Sequence, residues 1–369
     1  MPHLFDPLSI RGVTFPNRVF VSPMCEYSAV DGLANDWHFV HLASRAVGGA
    51  GLVMTEAAAV TAEGRISPED LGIWTDGHIE PLARAVRFIH EQGSVAGIQL
   101  AHAGRKASTY RPWSGEGAVA VEQGGWTSVV APSAVAFSGN YPLPQALTAD
   151  GIREVVAAFA HAARRARAAG FRVVEVHAAH GYLLHEFLSP LSNQRTDDYG
   201  GSWANRTRLL LEVVAAVRGE WPDHLPLFVR ISATDWAEGG WDLPQSIALA
   251  RLLRAAGVDL VDCSSGGNVA GARIPLGPGY QTEFAHEIGR QAAIRTAAVG
   301  LITTAVQAEH IVFTGQADAV FLARELLRDP YFPLRAAREL GQEVAWPAQY
   351  LRAAPHGAKP RLPAPEVDR

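Results

Sequence analysis

The sequence predicts a single (β/α)8 barrel, an α/β fold, and three observations carry that reading. Eight short runs rich in Val, Ile, Leu, Phe and Ala recur along the chain, each nearly continuous, as parallel strands buried on both faces should be. Longer amphipathic stretches separate them, and several of these end in glycine just before the next run. A count of eight units matches barrel closure better than the open edges of a doubly wound sheet.

In order, the runs are RVFVSPM (18–24), GLVMTEA (51–57), VAGIQLAHAG (95–104), RVVEVHAAHG (172–181), LFVRISATD (227–235), VDLVDCSSGG (258–267), RTAAVGLI (295–302) and ADAVFLAREL (317–326). Helical patterns lie between them, among them PLARAVRFIHEQG (81–93), GIREVVAAFAHAARRARAAG (151–170) and LPQSIALARLLRAAG (243–257). Each of these three ends in a glycine suited to a left-handed stop. Two segments break the repeat. Residues 102–147, rich in Gly, Pro, Ser and Trp, form a long excursion after the third strand, and a loop of that length is expected to act as a lid. From Ala353 the chain reads AAPHGAKPRLPAPEVDR, which lacks a hydrophobic face and is expected to be loosely ordered. The reading is one barrel domain over 1–352 and a tail over 353–369.

Composition narrows the function classes. Of 369 residues, 48% are hydrophobic and 19% charged, ordinary for a soluble enzyme, and a net charge of −5 gives no general attraction for nucleic acid or an anionic membrane. No apolar run approaches the ~18 residues of a membrane helix, and MPHLFDPLSIRG lacks the regions of a signal peptide. The two cysteines, Cys25 and Cys263, are too few for a disulfide framework, so a reduced cytoplasm is expected.

In such a barrel the catalytic groups stand at the C-terminal ends of the strands. The polar residues collect there: Ser22 to Tyr27 after the first run, Thr55 and Glu56 after the second, Gln99, His102, Arg105 and Lys106 after the third. His177, Arg230, Ser264, Ser265 and Arg324 follow at later strand ends. Any one of these residues alone is more often a partner for backbone groups than a ligand contact. Their convergence on one rim favours a shared site.

The histidines at 177, 180 and 185 invite a metal reading, and the spacing rejects it. His185-Glu186 is followed by Phe187, Leu188 and Ser189, so H-E-x-x-H is incomplete. His38 and His41 stand before a probable helix with no carboxylate or cysteine set around them, and spaced cysteines for structural zinc are missing. No metal site is expected. His177 and His180 therefore read as hydrogen-bond donors, Tyr182 in the same loop as a proton donor, and His185 as a packed or capping residue. VGGAGLV (47–53) precedes a strand, the wrong order for a pyrophosphate turn, and reads as a helix end. AAVG (297–300) and FLAREL (321–326) are better placed, because loops after the last two strands often hold a phosphate with backbone N–H groups, to which Arg324 would add a charge-assisted contact.

These motifs carry a specific resemblance. SPMCEY (22–27), DLGIW (70–74), QLAHAGRK (99–106), HAAHGYLLHEFLSPLSNQRTDDYGG (177–201), NRTR (205–208), FVRISATD (228–235) and ARELLRDPYF (323–332) resemble the Old Yellow Enzyme family of FMN-dependent ene-reductases, in the bacterial, thermophilic-like branch with a flavin-side cysteine. The similarity runs from Leu4 to about Arg352. It implies FMN over the barrel mouth, reduced by NADPH or NADH. Ser22, Pro23, Met24 and Cys25 would run beside the isoalloxazine, Ala57 would touch it by backbone and Gln99 would bond its pyrimidine edge. Arg230 would sit near N1 and O2, favouring the anionic reduced flavin. Ser265, Gly300, Ala323 and Arg324 complete the implied cofactor set. His177 and His180 would donate to the carbonyl oxygen of an enone while hydride from flavin N5 attacks the β-carbon and Tyr182 protonates the α-carbon. Tyr27 would border the substrate, and nitro compounds are a second implied substrate class.

Two positions depart from the family pattern. Ala323-Arg324 stands where Gly-Arg is usual, and a small residue is kept. QYLRAAP (349–355) keeps Arg352, which the resemblance places in a neighbouring subunit's site, so a homodimer or homotetramer is expected, but it drops the following Gly-Trp and adds a tail. Two other readings are weaker. A related FMN barrel with iron–sulfur and FAD modules, of the dienoyl-CoA reductase kind, needs a cysteine cluster and a second domain after residue 340, which are not seen. A non-catalytic ligand-binding barrel predicts a colourless protein.

Overall fold

The computed structural model describes residues 1–367. The chain opens with a two-stranded antiparallel hairpin, β1 (Leu8–Ile10) and β2 (Val13–Phe15), and then enters the barrel. The order that follows is β3 (Val19–Val21), α1 (Asp36–Val47), β4 (Leu52–Ala59), α2 (Ile79–Glu91) and β5 (Val95–Ala101). Within the excursion lie the two-residue strands β6 (Val130–Ala131) and β7 (Gln145–Ala146). The barrel resumes with α3 (Ala149–Ala168), β8 (Val173–Ala178), α4 (Leu183–Leu188), α5 (Trp203–Glu220), β9 (Leu227–Ser232), α6 (Leu243–Ala255), β10 (Leu260–Ser264), α7 (Thr282–Ala292), β11 (Arg295–Val299), α8 (Ala305–Phe313) and β12 (Ala319–Leu322). Helices α9 (Arg324–Arg328) and α10 (Phe332–Glu339) follow the last strand.

The eight strands β3, β4, β5, β8, β9, β10, β11 and β12 pair in parallel in that order, and β12 closes on β3. This is the (β/α)8 barrel that the runs predict. Every residue of β4 and β5 is buried, which is why those strands read as continuous apolar runs instead of alternating ones. The αL stops also stand, with positive φ at Gly93, Gly170 and Gly257, and the VGGAGLV segment ends α1 at Gly48. Polar residues start the helices: Asn35 caps α1 in a capping box with His38, and Asp242 caps α6.

The β1–β2 hairpin is the element that sequence patterning does not reveal, because strands of three residues leave no periodicity. Fully buried Phe15 packs its ring 5.0 Å from Phe20 and 6.3 Å from Phe228, below the start of the barrel strands. Truncating such a ring to alanine costs about 3–5 kcal/mol.

The excursion is fastened to the rim. Arg195 donates to the carbonyls of Pro132 at 2.9 Å and Leu147 at 2.6 Å, the residues just after β6 and β7. Arg65 lies over the rings of Trp74 and Trp126, and Trp126 Nε1 donates to Glu63 O at 3.0 Å.

The segment after Ala353 differs from its expectation. Arg361 donates to Ala46 O at 2.8 Å and Val47 O at 3.2 Å, at the end of α1, and also to Gln92 O just after α2. Trp346 N donates to Lys359 O at 3.0 Å, Arg361 N returns a bond to Trp346 O at 2.7 Å, and Ala364 N reaches His90 O at 2.8 Å. The physical reason is that one guanidinium satisfies carbonyls left over at helix C-termini. These bonds go to main-chain groups, which a Pro-rich composition does not disclose. Residues 368 and 369 of the tail lie outside the described residues.

Candidate active site

The strand ends bring the sequence-derived candidates to one mouth. His177, on β8, is buried, and its ring meets His180 at 5.1 Å between centroids and Tyr182 at 5.1 Å, both edge to face. His180 sits at φ +60, with its backbone N–H donating to Ser232 Oγ at 2.9 Å and its Nε2 bonded to Ser264 Oγ at 2.7 Å. Lys106 Nζ donates to His180 O at 2.8 Å and to Gly267 O, tying this turn to the loop after β10. Burial, and then the charge of Arg230, holds both histidines well below the usual imidazole range, so both are neutral. Burial lifts the Tyr182 phenol well above its ordinary value, and lowers Lys106 to about 8.

His185 is packed and capping at once. Its Nδ1 accepts from Gly181 N at 2.9 Å while Nε2 lies 3.0 Å from Asp235 Oδ1, both side chains fully buried. His38 and His41 need a correction. They lie inside α1, and carboxylates do surround them: His38 Nε2 is 3.1 Å from Glu56 Oε1 and His41 Nδ1 is 3.4 Å from Glu26 Oε1. Glu26 comes from the loop after β3 and Glu56 from strand β4, so motif spacing along the chain does not show them. Glu56 also accepts from Glu26 N at 3.0 Å, which fastens the loop that presents Cys25 and Tyr27.

That loop leaves β3 at Ser22 and carries Pro23, Met24 and the free thiol Cys25, which is partly buried. Burial, with the charges of Asp70 and Glu56, raises the thiol well above its normal range, so the sulfur is protonated. Tyr27 takes φ +48 and meets Trp113 of the excursion edge to face at 5.8 Å. Ala57 stands where the β4–β5 register is irregular, opposite Gln99.

Deeper in the barrel, Arg230 lies with Nε 3.1 Å from Asp262 Oδ2 and donates through Nη1 to Ser22 Oγ at 3.1 Å. Gln99 Nε2 donates to Glu175 Oε1 at 2.8 Å. Glu175 and Asp262 fall outside the candidates that the sequence offers. Their signal is a lone acid in an otherwise apolar buried strand, with Glu175 two positions before His177 and hence on the same face.

At the other end of the mouth, Ser265 Oγ donates to Gln281 Oε1 at 2.5 Å and accepts from Trp236 Nε1 at 2.9 Å, so its hydroxyl serves the loop. Gly300 has φ +120, and a Cβ there would stand 2.7 Å from Gln281 Nε2 and 2.9 Å from Tyr280 Cε1. Only bare backbone fits. Ala323 precedes α9, and Arg324 is exposed, with no hydrogen bond or ion pair among the described residues. Arg352 lies on a short 3-10 turn over Ala348–Ala353, exposed and likewise without a polar partner among the described residues, so within one chain no hydrogen bond or ion pair joins it to the mouth.

These residues fit FMN. Bare backbone at Gly300 with a free cation at Arg324 suits one phosphate, and Arg230 and Gln99 suit a pyrimidine edge. The buried His177 Nδ1 lacks a partner among the described residues, as a ligand-facing group does. Among those residues no group of three or more His, Cys, Asp or Glu side chains could hold a metal ion, and no helix is long and apolar enough to cross a membrane.

A closed parallel barrel with such a mouth defines a flavin-type oxidoreductase. Residues 3–343 match the NADH:flavin oxidoreductase / NADH oxidase family. An NADPH dehydrogenase of Bacillus licheniformis is 50% identical over 352 residues, covering 95% of this chain and 98% of the relative. Among solved structures, morphinone reductase in complex with tetrahydroNAD superposes with a TM-score of 0.76 at 28% identity, covering 94% of this chain and 93% of that one. A 2-naphthoyl-CoA reductase complex gives a TM-score of 0.83 at 26% identity over 92% of this chain, which spans about half of that protein (52%). The chain belongs to the NADH:flavin oxidoreductase family, that of Old Yellow Enzyme. It is an FMN-dependent NAD(P)H oxidoreductase.

Proposed function

We propose that the enzyme reduces the activated C=C bond of α,β-unsaturated carbonyl compounds with NADPH, and accepts nitro compounds as a second class. Bound FMN supplies the hydride. The observation that carries the reading is the set of three rings at the mouth, with His177 5.1 Å from both His180 and Tyr182. Two neutral imidazoles can each donate one N–H to a carbonyl oxygen without bringing net charge, and hold it as negative charge develops there. Tyr182, kept protonated by burial, then delivers a proton to the α-carbon. Tyr27 borders the substrate, and Ser22, Pro23, Met24, Cys25, Ala57, Gln99, Arg230, Ser265, Gly300, Ala323 and Arg324 hold the cofactor. Arg352 completes the site of a second copy in a homodimer or homotetramer.

The test is anaerobic turnover of FMN-loaded enzyme with NADPH and 2-cyclohexenone, with the product identified by gas chromatography. Cyclohexanone formed in step with NADPH loss supports the proposal. NADPH consumption in air alone, with no saturated ketone, overturns it.

A further inference from the structure

Below the histidines the barrel interior holds two carboxyls and one cation. Glu175 and Asp262 are both fully inaccessible. Gln99 pairs in register with Glu175 across β5 and β8, and Arg230 with Asp262 across β9 and β10, so adjacent strands build one polar layer. Asp262 Oδ2 stands 3.1 Å from Arg230 Nε as an ion pair, although neither of its oxygens has a hydrogen-bond partner among the described residues. Glu175 has only the amide of Gln99, at 2.8 Å, and its Oε2 has no partner among the described residues. Two carboxylates facing one cation in a dry interior leave an uncompensated negative charge, and such a group keeps its proton instead.

We propose that Glu175 is a proton-holding positioning residue for the cofactor. As a neutral acid it fixes the Gln99 amide and leaves the Arg230–Asp262 pair as the charges beneath the pyrimidine edge. The inference rests on the placement of that edge over Arg230 and Gln99. Burial first, and then the charge of Asp262, push Glu175 up to about 8 against the opposing effects of Arg230 and the Gln99 bond. The groups that face it are Gln99 from β5, Arg230 from β9 and Asp262 from β10; His177, the next residue on its own face, is neutral.

The consequence is electrostatic. Reduction adds negative charge above this layer, and a second carboxylate charge below it would oppose that. By linkage, cofactor reduction and proton binding at Glu175 favour each other equally. The midpoint potential of the bound cofactor therefore depends on one further proton per two electrons above pH about 8.

The experiment is a redox titration of FMN-loaded enzyme from neutral to alkaline pH. Wild type should show a break to a steeper slope near pH 8, and Glu175→Gln, which mimics the neutral acid, should lose it while keeping the neutral-pH potential. Asp262→Asn should shift the break to lower pH. A wild type with no break, or the same break in Glu175→Gln, overturns the proposal. If Glu175→Gln fails to fold, infrared spectra recorded in a Glu186→Gln background decide, because Glu186 is also raised to about 8: a protonated-carboxyl C=O band at neutral pH that fades through the break supports it, and no such band refutes it. A potential insensitive to Arg230→Gln would instead overturn the placement of the cofactor, a separate outcome.

Discussion

The ring of Tyr182 stands edge-on to that of His177, with centroids 5.1 Å apart and planes at 74°. Tyr182 is also the N-cap residue of α4, in extended backbone, so the helix start aims the phenol while His177 comes from the strand. The proposed oxyanion donor thus stands near the end of strand β8 and the proposed proton donor immediately before α4, with the turn through His180 between them.

Tyr182→Phe should leave NADPH oxidation by bound flavin intact and slow reoxidation by an enone, by about 10²–10⁴-fold if no water substitutes. Rapid-mixing absorbance of each half-reaction measures this. Slowing confined to the reductive half would reassign Tyr182 to nicotinamide positioning.

His177→Ala with His180→Ala should keep the protein yellow while weakening phenol binding and enone turnover. Loss of a donor to developing charge costs about 2.7–4 kcal/mol. Because both imidazoles are held below their ordinary range, wild-type enone turnover should show no histidine titration between neutrality and mildly acidic pH. A rate loss there that disappears in the double variant would contradict the neutral-donor role.

Glu186 gives a stability prediction. Fully buried, and accepting from Arg105 N at 2.8 Å, its carboxyl is raised from 4.5 to about 8 by desolvation. The folded state therefore binds a proton that the unfolded state has lost. Its contribution is present below pH 4.5 and falls as pH rises towards about 8, at about 1.4 kcal/mol for each tenfold difference in proton affinity. Urea unfolding should show Glu186→Gln gaining on wild type over that window. A pH-independent difference between the two would show that Glu186 stays ionised.

Arg352→Ala should raise the KM for substrate while leaving the flavin spectrum unchanged. Unaltered kinetics would remove Arg352 from the shared site. A point substitution is the cleaner test, because deleting the chain end would also remove Arg361 from the carbonyls of α1. Arg361→Ala should itself lower stability by about 1.5–3 kcal/mol per lost charge-assisted bond, seen in thermal unfolding with kcat retained.

Much of this was legible in the sequence because burial on both faces writes parallel strands as unbroken apolar runs, against which His177, Arg230 and Gln99 stand out. The rim was legible because strand ends are fixed once strands are found. What escaped depends on contacts across the fold. Glu26 and Glu56 meet His41 and His38 only when α1 packs beside β4. Arg361 finds carbonyls about three hundred residues away (269–315). Glu175 is visible as an oddity in β8, but its single partner and its need for a proton follow from the closed barrel.

The two bonds that join Trp346 to Lys359 and Arg361 have a last implication for protein design. They turn the intervening residues, Arg352 among them, into an arc whose two feet are bonded to each other, one of them held to the end of α1 by Arg361. With the feet fixed, the arc's length becomes a variable independent of the domain: doubling a flexible loop costs only about 0.6 kcal/mol. Residues added at Gly357, a turn at φ +84, would lengthen the arm and change how far Arg352 extends while leaving the barrel's own contacts in place. If Arg352 enters the site of a second copy as proposed, that reach would be retuned by insertion alone.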